Sequence, residues 1–244
     1  MREVDPRHFH YVMYPATTPV IAARAGGEAS AMPAAWTAAV SFDPPMLITA
    51  IAPERKTYML IRESGHFTVN YLDFSRVEAL AVIGSASSRF LPDKLERAGL
   101  RLVEARKVPS VALADAAAVI ECSLREVVDV GGDHDIIVGR VEAVFASEDF
   151  KDGAWSLERY RPILYMGRTR GPGPSKFRFA TTGEVRDVEY GAGVRQAVEE
   201  RRRARKLVEG AIDELARKMG RSPEDVAYML LDALKGILAR RWRV

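Results

Sequence analysis

The chain has 244 residues, of which 48% are hydrophobic and 28% charged, a balance typical of a globular domain in water. A single cysteine, Cys122, excludes an internal disulfide framework, and no Cys and His pair has zinc-ligand spacing, so no metal site is predicted. The formal net charge of +3 is too small to indicate nucleic-acid binding by itself.

Residues 1–10 are polar and charged, unlike a signal peptide, and the longest uncharged stretches are short and contain prolines. We therefore expect a cytoplasmic protein without a membrane segment. Asn70 and Gln196 are the only side-chain amides, while Arg and Glu are abundant. This composition predicts a thermophilic source, because amides are thermolabile.

Residues 10–150 are predicted to be mainly β. Residues 20–24 lead through Gly26 and Gly27 into residues 29–40, which predicts a hairpin of two strands because glycine accepts the positive φ of tight turns. Prolines at 44 and 45 predict a turn or a sheet edge, since they have no N–H to donate. The apolar run at 46–52 then predicts a buried strand.

Further elements follow from periodicity and from glycines that end helices. Helices are predicted at 57–64, 73–84 and 93–98, the first ended by Gly65 and the last by Gly99. Strands are predicted at 66–71, 120–128 and 136–145, with the last two joined through Gly131 and Gly132.

The composition changes after Tyr165. Residues 171–174, Gly-Pro-Gly-Pro, predict a loop, and residues 197–219 have apolar side chains at helical spacing. A second helix is predicted from Ser222 as its N-cap, with Pro223 at its first position. We expect a β domain at 1–175 and a two-helix extension at 190–244, whose apolar stripe packs on the barrel or on a partner subunit.

Common nucleotide and hydrolase motifs are absent from the sequence. It has no G-x-G-x-x-G between a strand and a helix, no G-x-x-x-x-G-K-[ST] and no G-x-S-x-G. A Rossmann domain, a P-loop and a nucleophile elbow are therefore not expected.

An ordered set of stretches carries a family pattern instead: Tyr14-Pro15, then residues 32–45 (MPAAWTAAVSFDPP), 51–57 (IAPERKT), 61–70 (IRESGHFTVN), 88–100 and 132–141. This pattern resembles the flavin reductase-like family, which includes flavoredoxins and the reductase components of two-component monooxygenases. The resemblance spans about residues 10–170, within the usual size of one domain. It implies a mainly β, FMN-binding split barrel of Greek-key type with short helices, which holds FMN, rather than FAD, non-covalently.

The chemistry of FMN agrees with this resemblance. Arg55, Lys56 and Thr57 place two cations and a hydroxyl at the start of a predicted helix, where phosphate binds favourably; the alternative is a solvated pair of charges. Trp36 can pack either on the flavin or in the core. The predicted cofactor-binding residues are Ala34, Ala35, Trp36, Thr37, Ala50, Ile51, Ala52, Arg55, Lys56, Thr57, Ser88, Arg89 and Lys94.

Two positions depart from the family pattern. Pro33 and Ala35 stand where the family often has polar side chains. Side-chain hydrogen bonds to the flavin ring are therefore excluded at these positions, and backbone donors must serve.

The resemblance implies NAD(P)H-dependent flavin reduction, with NAD(P)H as co-substrate, in a homodimer that can serve a partner oxygenase or another redox protein. His134 is predicted to place the nicotinamide; the alternative is an exposed turn histidine. Two other functions remain open: an FMN electron carrier without nicotinamide activity, and a flavin barrel whose basic residues 201–206 bind nucleic acid. We expect those basic residues to form a solvated helix face instead.

Overall fold

A computed structural model of the chain describes residues 1, 3–85, 87–89, 91–168, 177–183 and 192–241. It separates into two compact units, Met1–Val185 and Arg186–Val244. The predicted domain bounds, 1–175 and 190–244, stay a prediction, and the predicted loop at 171–174 lies outside the described residues.

The first unit is mainly β, as predicted. Its helices are α1 (Phe9–Val12), α2 (Lys56–Ser64), α3 (Val77–Ser85) and α4 (Lys94–Arg97), with 3-10 turns at Pro6–His8 and Phe74–Arg76. Its strands are β1 (Ala16–Thr17), β2 (Val20–Ala25), β3 (Glu28–Pro33), β4 (Thr37–Phe42), β5 (Pro45–Ile51), β6 (His66–Tyr71), β7 (Leu102–Glu104), β8 (Val111–Leu113), β9 (Ala118–Val128), β10 (Asp135–Ala146), β11 (Phe150–Lys151), β12 (Ala154–Trp155), β13 (Leu164–Arg168) and β14 (Phe177–Ala180).

A seven-stranded antiparallel sheet has the order β3-β2-β6-β9-β10-β5-β4. Residues 29–40, predicted as one strand, form two strands on opposite edges of this sheet. The first part pairs with β2 up to Pro33, and the second pairs with β5 from Thr37. Because only residues 34–36 separate the two edge strands, the sheet must curve until its edges meet, which makes it a barrel.

Backbone hydrogen bonds hold both ends of this link. The N–H of Ala34 donates to the carbonyl of Pro19 at 2.9 Å, and the carbonyl of Trp36 accepts from the N–H of Ala50 at 2.9 Å. The link therefore has a bond toward β2 at one end and a bond toward β5 at the other. Its position is fixed by both edges of the sheet.

Strand β2 is buried on both faces, so its side chains alternate between two hydrophobic cores. Ile21 and Ala23 belong to the core that also contains Phe67, Cys122 and Ile137. Val20 and Ala22 belong to a second core with residues of α3 and β8, such as Leu80 and Val111. The first core confirms the prediction that Cys122 is an interior residue.

Gly139 on β10 lies directly against a core aromatic ring. A Cβ added there would lie 2.4 Å from Cζ of Phe67 and 3.3 Å from Cβ of Cys122. We expect Gly139→Ala to lower the free energy of unfolding by about 1–3 kcal/mol, the usual cost of overpacking. Urea unfolding measures the change. The matched control is Gly132→Ala, whose Cβ would meet only Val130, at 4.0 Å; equal unfolding midpoints for the two variants would contradict the close packing of Gly139 on Phe67.

The predicted helix ends are confirmed where glycine was the signal. Gly65 follows α2 with a φ of 71°, and its N–H donates to the carbonyl of Ile61. Gly99 follows α4 with a φ of 63°. Strands β7, β8, β13 and β14 had no strong signal, because they are short or lie in the part of the chain with irregular composition.

The second unit contains α5 (Ala192–Met219) and α6 (Pro223–Arg241). The helix predicted to begin at residue 197 begins earlier, at Ala192. Ser222 caps α6 as predicted, because its Oγ accepts from the N–H of Asp225 at 3.1 Å. Within the described ranges, no helix is long and apolar enough to cross a membrane. The packing of this unit on the barrel or on a partner stays a prediction.

Candidate functional site

A cleft of about 250 Å³ opens beside the link at residues 34–36. Its wall combines residues from β3, β5, the start of α2, the end of α3 and the turn before β10. The lining residues are Tyr14, Ser30, Met32, Pro33, Ala34, Ala35, Trp36, Ala50, Arg55, Lys56, Thr57, Ile83, Gly84, Ser87, Ser88, Lys94, His134, Tyr165 and Arg168. Among these residues there is no carboxylate, so the described wall of the cleft is positively charged.

One part of the wall is built around the start of α2. Arg55 precedes this helix without capping it through its side chain, and the first turn contains no acidic residue. Thr57 donates its hydroxyl to Ser30 at 3.0 Å, and Ser30 lies 2.8 Å from the hydroxyl of Ser88. An uncapped helix start with an adjacent guanidinium is a favourable position for an anion. We define this part, Ser30, Arg55, Thr57, Ser88 and Lys94, as the basic end of the cleft.

Lys94 adds a second cation to the basic end. Its side chain is buried, and its Nζ donates to the carbonyl of Ile83 at 2.9 Å. Burial, together with the positive charge of Arg55, lowers the pKa of Lys94 from 10.5 to about 8. Arg55 and Lys94 repel each other in the same cleft, and a bound anion would reduce that repulsion.

The burial of Lys94 predicts that the free energy of unfolding of the flavin-free protein depends on pH. Between pH 8 and 10.5 the unfolded chain holds a proton on Lys94 that the folded chain has released. The free energy of unfolding of the wild type should therefore rise across this window relative to that of Lys94→Met, which has no such proton. Urea unfolding of both proteins at several pH values measures the difference, and the tyrosines, which titrate at the upper end, cancel between them. A difference that stays constant with pH would contradict the burial of a charged lysine.

Another part of the wall is aromatic. The rings of Trp36 and His134 lie 4.9 Å apart, and the ring of Tyr14 lies 5.0 Å from that of Tyr165. His10 of α1 bridges the two pairs, at 6.1 Å from Trp36 and 6.2 Å from Tyr14. We define these five residues as the aromatic end of the cleft; four of them line its wall, and His10 packs behind them.

Trp36 and His134 both face the cleft. Trp36 is 37% exposed and lines the wall, so it is not a core residue. His134 also lines the wall, and its Nδ1 lies 2.8 Å from a carboxylate oxygen of Asp133. Hydrogen bonding to His134 lowers the pKa of that carboxyl. The Asp133 carboxylate therefore orients the imidazole from its solvent side.

The cleft wall contains most of the predicted site residues: Ala34, Ala35, Trp36, Ala50, Arg55, Lys56, Thr57, Ser88, Lys94 and His134. Lys56 forms an ion pair with Glu28, so its charge is partly neutralised.

Four other predicted residues do not line the cleft. The hydroxyl of Thr37 lies 3.0 Å from the carbonyl oxygen of Ala34 and 2.9 Å from the hydroxyl of Thr49. The side chains of Ile51 and Ala52 are buried, and Arg89 donates to the carbonyl of Glu54 at 3.3 Å. Strand geometry explains Ile51, because it follows Ala50 on β5 and alternate side chains on one strand point to opposite faces.

Sequence reasoning did not assign Tyr14, Ser30, Gly84, Tyr165 and Arg168 to the site, although all of them line it. Gly84 carried a usable signal, because a glycine inside a predicted helix often marks a close approach. A Cβ there would lie 2.9 Å from Cγ of Pro33, so α3 lies close against β3. Tyr165 and Arg168 carried none, since no element was predicted around them.

Comparison with known proteins defines the family. Residues 11–173 match the flavin reductase like domain. The chain belongs to the flavin reductase-like family. This match covers the barrel and the cleft, and it leaves the second unit outside the domain.

An uncharacterized protein from Aeropyrum pernix is 38% identical to this chain, over an alignment that covers 100% of this chain and 98% of the relative. The alignment thus includes the two C-terminal helices. The reductase subunit of a flavin-dependent monooxygenase from Rhodococcus jostii is 32% identical, over an alignment that covers 71% of this chain and 81% of that subunit. Thermophilic organisms are among the sources of the relatives, in agreement with the amide-poor composition.

Solved structures agree with the family assignment. An FMN-binding protein from Thermus thermophilus with bound p-hydroxybenzaldehyde has a TM-score of 0.63 and 26% identity, covering 78% of this chain and 98% of that chain. Flavoredoxin from Methanosarcina acetivorans has a TM-score of 0.66 at 19% identity, and the match covers 79% of this chain and 97% of the flavoredoxin chain. The predicted split-barrel fold of this flavin reductase-like protein is therefore confirmed.

Proposed function

We propose that this member of the flavin reductase-like family binds FMN in the described cleft and oxidises NAD(P)H there. The observation that carries the proposal is the basic end of the cleft. Arg55 and Lys94 bring two cations to the uncapped start of α2, where Arg55 also forms an exposed ion pair with Glu54 at 3.5 Å. No carboxylate is among the described residues that line the cleft wall. Such a site is matched to a dianionic phosphate.

The residues of the cleft fit FMN in two respects. Arg55, Lys94 and the hydroxyl of Thr57 would hold the phosphate, and Ser30 and Ser88 continue the line of hydroxyls from it. The small side chains of Ala34 and Ala35 leave the backbone of the link open to a flat ring, with Trp36 beside it. FMN is favoured over FAD because the basic end supplies cations for one phosphate group.

Bound FMN would supply the redox chemistry by accepting one hydride from NAD(P)H, which is thereby oxidised to NAD(P)⁺. The task of the chain is to place the two rings against each other. The sequence has no G-x-G-x-x-G between a strand and a helix, and we propose that the nicotinamide binds in the same cleft. His134, oriented by Asp133, would place it from the aromatic end.

The neighbours support a cleft that admits a second molecule. The Thermus protein has been crystallised with p-hydroxybenzaldehyde and with 1-cyclohex-2-enone, two small cyclic carbonyl compounds. The Rhodococcus relative is the reductase subunit of a monooxygenase. By analogy we propose that reduced flavin, or its electrons, pass to a partner oxygenase or redox protein, that the protein acts as a homodimer, and that it is cytoplasmic.

An absorbance spectrum of the purified protein, followed by anaerobic mixing with NADH and NADPH, tests the proposed function. Flavin bands that bleach with either nicotinamide are the expected result. Flavin bands that neither nicotinamide bleaches would favour the alternative function, an FMN electron carrier. A protein without flavin bands that also fails to quench the fluorescence of added FMN would exclude both functions.

A further inference from the structure

The cleft contains a cation outside its basic end. Arg55 and Lys94 form the basic end, where Arg55 is paired with Glu54, and Lys56 is paired with Glu28. Arg168 lines the same cleft from strand β13, in a wall whose described residues include no carboxylate. A cation in the same cleft but away from the proposed phosphate site offers a place for a second anion.

The position of Arg168 separates it from the basic end. It lies beside Tyr165, where its positive charge opposes the rise in the pKa of Tyr165 that burial produces. Tyr165 in turn lies against Tyr14 in the aromatic end, with ring centroids 5.0 Å apart. Arg168 is therefore the cation of the aromatic end, where the nicotinamide is proposed to bind.

Arg168 is oriented by an aromatic neighbour. Its guanidinium lies 4.8 Å from the ring centroid of Phe177, its neighbour across β13 and β14. Contact with an aromatic face and a hydrogen bond to the Tyr165 side chain restrict the guanidinium. Because a guanidinium has five N–H donors, others are left for a ligand. Among the residues that the structure describes, no carboxylate forms an ion pair with Arg168.

We propose that Arg168 determines specificity for the electron donor by binding the phosphate groups of the nicotinamide dinucleotide. The nicotinamide ring of the same molecule would lie at the aromatic end. This inference rests on the proposed function. The same phosphate chemistry is present in FAD, whose second phosphate is a competing source of the anion. The guanidinium fork binds either phosphate through paired hydrogen bonds.

Anaerobic bleaching of the FMN-loaded protein tests the proposal, with the donor concentration varied. For Arg168→Ala we expect the half-saturating NADH concentration to rise about 5- to 10-fold with little change in the limiting rate, since an exposed charged hydrogen bond is screened. Arg168→Lys should recover part of the loss. Added salt should raise the half-saturating concentration more in the wild type than in Arg168→Ala.

Two comparisons separate this role from a structural one. N-benzyl-dihydronicotinamide carries the reactive ring without phosphate, so it should bleach wild type and Arg168→Ala equally. Arg178→Ala removes an exposed arginine from the neighbouring strand β14, outside the cleft wall, and should leave NADH saturation unchanged.

The outcomes are distinguishable. If wild type bleaches with NADH and Arg168→Ala saturates at the same concentration, the inference about Arg168 is overturned while the proposed function stands. The inference is also overturned if Arg168→Ala loses affinity for FAD relative to FMN but keeps its NADH saturation, which would assign the anion to the flavin. If no nicotinamide bleaches the wild type, the proposed function itself fails, and the inference with it.

Discussion

Replacing Arg55 with alanine is expected to weaken FMN binding by about 1.5–3 kcal/mol, the usual contribution of a hydrogen bond to a charged group. The guanidinium precedes the uncapped start of α2 and lies close enough to Lys94 to lower the pKa of its ammonium. Its loss removes one of the two cations of the basic end. Thr57→Ala should cost less, because the hydroxyl is neutral and already donates to Ser30.

Riboflavin is the ligand control, because it has the ring and ribityl chain of FMN without the phosphate. Titrations followed by flavin fluorescence should show nearly equal riboflavin affinity for wild type and Arg55→Ala. Arg62→Ala, which changes an exposed arginine at the other end of α2, should bind both ligands as the wild type does. Equal losses of FMN and riboflavin affinity in Arg55→Ala would refute a phosphate site at this residue.

Replacing His134 with alanine is expected to slow the bleaching of bound flavin by NAD(P)H by about 10- to 100-fold, the scale of losses from misplaced reactants. FMN affinity should change little, because His134 lies at the aromatic end and not among the cations. The imidazole lies 4.9 Å from the ring of Trp36, and its Nδ1 lies 2.8 Å from a carboxylate oxygen of the exposed Asp133.

Stopped-flow absorbance under anaerobic conditions measures this rate, and fluorescence titration measures FMN affinity in the same preparations. His66→Ala is the matched histidine control, since the Nδ1 of His66 bonds to the carbonyl of Ser64 outside the cleft wall. A His134→Ala protein that loses FMN instead of bleaching slowly would make this histidine a cofactor ligand and overturn its proposed role.

The parts of the fold that could be predicted are those set by local chemistry. The hairpin at Gly26 and Gly27, the helix ended by Gly65 and the Ser222 cap of α6 each depend on a few neighbouring residues. The basic end was predictable for a similar reason, because Arg55 and Thr57 are adjacent to the start of the helix that forms it.

The parts that could not be predicted depend on contacts between distant segments. Residues 29–40 carry one continuous strand pattern, and only the pairing with β2 and then with β5 divides them. The aromatic end brings together His10, Trp36, His134 and Tyr165 from four separate segments. No periodicity relates such positions, so the family resemblance could indicate His134 and Trp36 but not Tyr165 or Arg168.

Asn70 shows the same limit inside the core. The sequence made it notable only as a rare amide, yet its side chain donates to the carbonyl of Val20 at 2.9 Å and accepts from the N–H of Leu113 at 2.8 Å. It thereby joins β6 to β2 and to the residues of β8. A buried amide with its hydrogen bonds satisfied can specify strand register, but nothing in its neighbours along the chain indicates which carbonyl it will reach.

The meeting of the sheet edges at residues 34–36 also has a thermodynamic consequence. A ligand seated against this link touches both margins of the sheet at once, so opening the barrel and releasing the ligand become coupled equilibria. At a ligand concentration 100 times its dissociation constant, such coupling adds about 2.7 kcal/mol to the free energy of unfolding. Heat resistance would then be a property of the loaded protein as much as of the polypeptide, and cellular flavin supply would set part of its melting temperature.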